Sequence, residues 1–245
     1  MSGLFYNLGR RVGPKVRKAS WVWQSMTGTE ADMIKVENEV GRDLAYEVRC
    51  QLKPDADPET RQLLGKIGSD LAKCVANRYR TFSFEAVEGG EPNAFALPGG
   101  FIFITRSLIE LCRQDADEVA FVLGHEMAHV IRGHAMERII SNSAISTASR
   151  IGPARGLMSG WLKRVGVQFL ESAYSQDIES EADRLGVALS AAANYDPYAA
   201  TRLLSNLAKV SQGQEGVDLG EYFSSHPAYQ NRIENINRII RQRSG

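Results

Sequence analysis

One stretch constrains the fold of this chain more than any other. VAFVLGHEMAHVI, Val119 to Ile131, is apolar on almost every side yet carries two histidines and a glutamate. A helix of that kind belongs in the middle of a fold, with other elements packed around it. Buried imidazoles and carboxylates without partners cost on the order of 1–3 kcal/mol each, so His125, Glu126 and His129 demand a compensating interaction. Metal ligation is one. His125 and His129 stand four positions apart, project from one face a turn apart, and can share a single zinc ion. Glu126 lies about 100° round the helix from His125, close enough to reach a water on that ion without displacing it.

His134 lies roughly 180° round an ideal helix from His125, which places it on the far side as a packing or hydrogen-bonding residue. The extended histidine motif of metzincins also needs other spacings than those of Gly133 and His134. A third ligand must then come from elsewhere, and SQDIESEADRLG offers four acids. Glu179 with Asp183, and Asp177 with Glu181, have the i,i+4 spacing that puts two side chains on one helix face. A catalytic zinc site needs one carboxylate ligand beside two histidines, and another carboxylate to hold an imidazole N–H. Glu179 and Asp183 can supply both from one face, and Glu181 points elsewhere.

Around these segments the pattern is mainly helical. Val36, Val40, Leu44 and Val48 mark the inner face of a helix from Glu30 to about Leu52, and Pro58 opens a second with Leu63, Leu64, Ile67 and Leu71 inside. Thr81 to Thr105 alternates and turns at Gly89–Gly90 and at Pro98–Gly100, which reads as a small antiparallel sheet. Asp115 with Glu118 resembles a capping box for a long helix running to about Ile140. Helices follow over roughly Val167 to Ala193, from Pro197 to about Val210, and after Pro227 at a first helical position. The expected organisation is a basic and aromatic extension over 1–30, then one domain over 31–245 with a Ser-, Ala- and Gly-rich insertion at 141–167.

Composition narrows the partners. Lys plus Arg and Asp plus Glu number 29 each, so no overall field favours nucleic acid. The basic cluster Arg10, Arg11, Lys15, Arg17 and Lys18, beside Phe5, Trp21 and Trp23, is a candidate for peripheral membrane contact or a solvated extension. Cys50, Cys74 and Cys112 are scattered, with no C-x-x-C pair. With no apolar signal region in residues 1–30, a cytoplasmic setting is the expectation.

His125-Glu126-x-x-His129, then Glu179-x-x-x-Asp183, then HPAYQNR, with NAFALPGGFIFIT ahead of the histidine helix, together resemble a known family. They are similar to the zinc metallopeptidases that include HtpX, the CAAX prenyl endopeptidases and the BepA-type proteases. The resemblance covers about residues 31 to 240; Gln176 departs from it, standing where the family often has Arg. It implies an α+β, predominantly helical gluzincin-like domain with Glu179 as third ligand and Asp183 as the carboxylate behind a histidine. It also implies that His226 sits near zinc, either stabilising the oxyanion or filling the fourth position of a latent form.

Two histidines and one glutamate leave zinc a position for water, and Glu126 would act as general base on that metal-activated water. The expected function is therefore a zinc endopeptidase of extended or unfolded polypeptides. Asn93, Ala94, Phe95 and Ala96 form the candidate edge strand on which substrate would pair. Tyr174 and Tyr222 are further candidate donors. The alternative is a latent or chaperone-like peptide-binding module whose zinc is capped by His226.

Overall fold

The computed structural model describes residues 29–89, 91–142, 174–211, 226 and 229–243. Residues 1–28 of the expected extension, 143–167 of the expected insertion, Tyr222 and Pro227 lie outside the described residues. Helix α1 spans Glu30–Gln51 and is opened by a reciprocal cap between Thr29 and Asp32. Its buried face carries Ile34, Leu44, Ala45 and Val48, whereas Val36 is exposed. The expected stripe is corrected at Val36 alone, because a run of four-residue steps drifts by about 40° per step round a helix, whereas Val40 packs partly buried against the core. Helix α2, Pro58–Lys73, has Asp57 as N-cap and buries Leu64, Ile67 and Leu71.

Strands β1 (Ser83–Val87), β2 (Ala94–Leu97) and β3 (Phe101–Thr105) form a sheet in the order β1-β3-β2. β2 and β3 pair antiparallel across the Pro98–Gly100 turn, as expected. β1 runs parallel to β3, so the expectation of an antiparallel sheet is corrected there. The chain does reverse after β1, but β3 inserts between β1 and β2 instead of adding to the outside. β2 is thereby left at an edge.

Helix α3 is Arg106–Leu111, and α4, Ala116–Ile131, is the histidine helix. Asp115 caps α4 by accepting from the Asp117 and Glu118 amides. The helix does not run on to Ile140. It stops at Arg132, Gly133 adopts φ +76°, and α5 begins at His134 and ends at Asn142. Helices α6 (Gln176–Ala192), α7 (Ala199–Ser211) and α8 (Tyr229–Arg243) complete the described residues. Among these residues no helix is long and apolar enough to cross a membrane.

Helix α4 is buried along almost its whole length, as its apolar composition requires, and α6 is its main neighbour. The two backbones meet through glycines. A Cβ on Gly186 would lie 2.9 Å from the His125 amide nitrogen, and one on Gly124 would lie 3.1 Å from the Gly186 carbonyl oxygen. Because the helices touch main chain to main chain, side chains one turn further along each can converge. Gly186→Ala should therefore lower stability by about 1–3 kcal/mol through overpacking. Gly65→Ala, on an exposed helical turn where a Cβ would meet nothing within 4 Å, should raise it by about 0.4–1 kcal/mol. Urea midpoints of both variants beside wild type check the pair.

Candidate metal centre

The face that α4 turns to α6 carries His125 and His129, and α6 answers with Glu179 and Asp183. His226 joins them from outside both helices. His125, His129, Glu179 and His226 are buried, and each offers one ligand atom in a group lying within 4.8 Å of one another. The Nε2 atoms of His125 and His129 are 3.1 Å apart, and His125 Nε2 is 3.3 Å from His226 Nδ1. Glu179 lies 2.9 Å from His226 Nδ1 and 3.5 Å from each of the other two Nε2 atoms.

These separations suit a metal. Donors about 2.0–2.1 Å from a tetrahedral ion stand about 3.3 Å from one another, close to the two spacings that His125 makes with His129 and His226. The electrostatics agree. Burial opposes a charge on His125, yet Glu179 and Asp183 outweigh it and raise the imidazole to about 9, so the carboxylates draw positive charge into the cluster. A divalent cation supplies such a charge directly. Burial dominates at His129 and takes its imidazole well below the ordinary value, which favours the neutral ring that a metal requires.

Glu126 lies beside the cluster without joining it, 1% exposed, with Oε1 3.5 Å from His226 Nε2. Burial pushes its carboxyl up, against the opposing charges of His226 and His125. Behind the ligands, Asp183 Oδ1 is 3.0 Å from His125 Nδ1. A residue that sequence reasoning did not assign holds this carboxylate. Arg232, on α8 and 3% exposed, donates from Nε and Nη2 to the two Asp183 oxygens at 2.8 and 2.7 Å. Its Nη1 lies 3.0 Å from Glu179 Oε2 and donates to the His226 carbonyl at 3.2 Å. One guanidinium thus ties together a candidate ligand, the carboxylate behind another, and the backbone of a third.

His134 does not point away: its Nδ1 is 3.2 Å from His129 Nδ1, because the break at Gly133 turns it back toward α4. Tyr174 is buried, and its ring stacks on His129 with centroids 4.1 Å apart. Just before β2, the Asn93 carbonyl accepts from the Thr105 amide and the Asn93 N–H donates to Thr105 Oγ1. Antiparallel alternation then turns the Phe95 main chain toward β3, and Phe95 stacks on Phe103. The same alternation turns the main-chain groups of Ala94 and Ala96 to the outer edge, where Arg138 Nη2 donates to the Ala96 carbonyl at 3.2 Å. Of the four expected edge residues, Asn93 and Phe95 therefore spend their main-chain groups on β3 and offer none outward.

The family described as Peptidase family M48 matches residues 58–240, from α2 through most of α8. The chain belongs to peptidase family M48. This M48 chain is similar to the mitochondrial metalloendopeptidase OMA1 of Schizosaccharomyces pombe, 36% identical over 150 residues, 61% of this chain and 44% of that protein. It is also similar to the metalloprotease LoiP of Escherichia coli, 30% identical over 149 residues, covering 59% of this chain and 57% of LoiP. The β-barrel assembly-enhancing protease of Yersinia pestis is 28% identical over 200 residues, 76% of this chain and 40% of that protein. The chain thus spans about half the length of these relatives.

The Arg232 clamp has a pH signature in the M48 chain. Burial would raise the Asp183 carboxyl, but the Arg232 charge and hydrogen bonds from His125 and Arg232 hold it below the usual range. A depressed folded value contributes stability that is present above the unfolded value near 3.9 and is lost as pH falls through the folded one. In Arg232→Met the sign reverses, since burial then acts with less opposition and protonation relieves the strain. The variant should be destabilised by about 3–5 kcal/mol at pH 8, and by clearly less at pH 5. Urea unfolding at the two pH values checks this, with Arg232→Lys expected near Met because a single ammonium cannot reproduce the fork.

Proposed function

We propose that the chain is a zinc-dependent endopeptidase acting on extended polypeptide, with His125, His129 and Glu179 as ligands and His226 capping the fourth position in the conformation described. The observation that carries this reading is the convergence of four buried ligand atoms beside a glutamate that is not itself a ligand. A site built only to stabilise a fold has no use for such a glutamate beside its ligands. Bound there, zinc would supply a Lewis acid that polarises a carbonyl and eases ionisation of water.

The chain's own residues do the rest. Glu126, pushed upward by burial, is suited to take a proton from the attacking water and return it to the leaving amine. Asp183, clamped by Arg232, stands 3.0 Å from His125 Nδ1, placed to receive its proton and hold that ring in the tautomer whose Nε2 is a donor atom. The outward main-chain groups of Ala94 and Ala96 are the part of β2 that suits main-chain pairing with a peptide, with Arg138 to be displaced from the Ala96 carbonyl. Ala94 and Ala96 are buried, at 0% and 1% exposure, so a substrate has to be admitted before it can pair.

His226 supports a latent state. Its Nδ1 stands among the ligand atoms and its Nε2 faces Glu126, so one ring fills the space between metal and base. The second reading, a peptide-binding module whose metal stays capped, rests on the same observation. The basic N-terminal stretch is proposed to give any membrane contact, which vesicle co-sedimentation of a chain with Arg10, Arg11, Lys15, Arg17 and Lys18 neutralised can test.

Cleavage of unfolded casein, with zinc content measured for each protein, separates the readings. Glu126→Gln should retain zinc and lose about 10²–10⁴-fold in rate. His226→Ala should retain zinc through three ligands and cleave several-fold faster than wild type. A fall in rate on removing His226 would make it an oxyanion donor. No cleavage by wild type or His226→Ala, with zinc bound in both, would leave the binding module.

A further inference from the structure

The two ligand histidines of α4 are held differently, and His134 explains the second. His129 presents Nε2 to the cluster, 3.1 Å from His125 Nε2 and 3.5 Å from Glu179 Oε1. A ring that ligates through the Nε2 lone pair carries its proton on Nδ1. That nitrogen lies 3.2 Å from His134 Nδ1. Of two ring nitrogens so close, one must donate and the other accept, so His129 Nδ1–H donates and His134 Nδ1 accepts. The proton of neutral His134 then sits on Nε2, which lies 3.5 Å from Glu181 Oε2, and the other oxygen of Glu181 is 3.2 Å from Arg132 Nε.

We propose that His134 is the positioning residue for His129, holding it in its metal-binding tautomer, and that Glu181 in turn fixes the tautomer of His134. The inference rests on the metal reading above. It gives each α4 histidine its own outer acceptor: Asp183, backed by Arg232, for His125; and His134, backed by Glu181 and Arg132, for His129. Metal ligands of this kind lose about 10–100-fold in affinity when the outer acceptor is removed. The geometry exists because the α4 helix ends before His134. Had it continued, the ring would have faced the opposite side.

Zinc affinity by chelator competition tests this on wild type, His134→Leu, His134→Asn and Glu181→Ala, with helix content and urea midpoint recorded for each. His134→Leu should bind zinc about 10–100-fold more weakly. His134→Asn, whose amide oxygen can stand where Nδ1 stands, should recover most of the loss, which a purely packing role would not produce. Glu181→Ala, at a side chain 33% exposed, should fold normally and weaken binding a few-fold. Nitrogen-15 spectra of the zinc-loaded protein should show His134 protonated on Nε2, and with four histidines in the chain the signals can be assigned by single variants.

Wild-type affinity in a folded His134→Leu overturns the inference, as does a His134 protonated on Nδ1 in the zinc-loaded protein. If His134→Leu does not fold, Glu181→Ala decides: a loss of the Nε2–H form supports the inference and an unchanged ring overturns it. A wild type that binds no zinc overturns the metal reading itself, and this inference with it.

Discussion

Three carboxylates and three imidazoles withdrawn from water between α4 and α6 set the terms for the rest of the structure. Glu126, Glu179 and Asp183 are each at most 1% exposed, where an uncompensated charge costs several kcal/mol. Arg232 answers part of that charge from the far side, with a fork that no single ammonium matches. A divalent ion at the ligand cluster would answer two units more. Helix α8 serves core and centre together, its Ile236 and Ile240 buried in the main core while Arg232 reaches the carboxylates.

The apolar elements serve as supports for that centre. One core cluster joins α2, the inner sides of β2 and β3, α4, α7 and α8, and a second lies where α1 covers Phe95, Leu97 and Phe103. β2 is shared between them, its alanines facing one cluster and its Phe95 and Leu97 the other. A strand pinned on both faces keeps its outer main-chain edge at a fixed height beside the histidine helix, which is what a peptide-pairing edge requires.

Local geometry made much of this readable from the sequence. Four-residue spacing on α4 and α6 states which side chains share a face, so His125 with His129, and Glu179 with Asp183, follow from the helix alone. Non-local facts were less accessible. Nothing near Arg232 says that its partner is Asp183, 49 residues away. The parallel placement of β1 depends on where β3 inserts, although the reversal at its end was visible. His134 was misplaced for a reason the sequence contained: Gly133 after a helical run is a common C-terminal stop, and extending the helix through it rotated the next ring to the wrong side.

The contact between Gly124 and Gly186 bears on which ions the proposed metal site could accept. Rotamers can relax around a misfit ion, but two main chains already at 2.9–3.1 Å for a single added carbon cannot move closer, and moving apart means unpacking α4 from α6. Calcium, which takes six to eight oxygen donors at about 2.3–2.6 Å, meets both the wrong donor atoms and walls that resist widening. In the site proposed above the backbone contact would thereby add to the discrimination that the donor atoms give, since the ligands of α4 and α6 can separate further only if the two helices part.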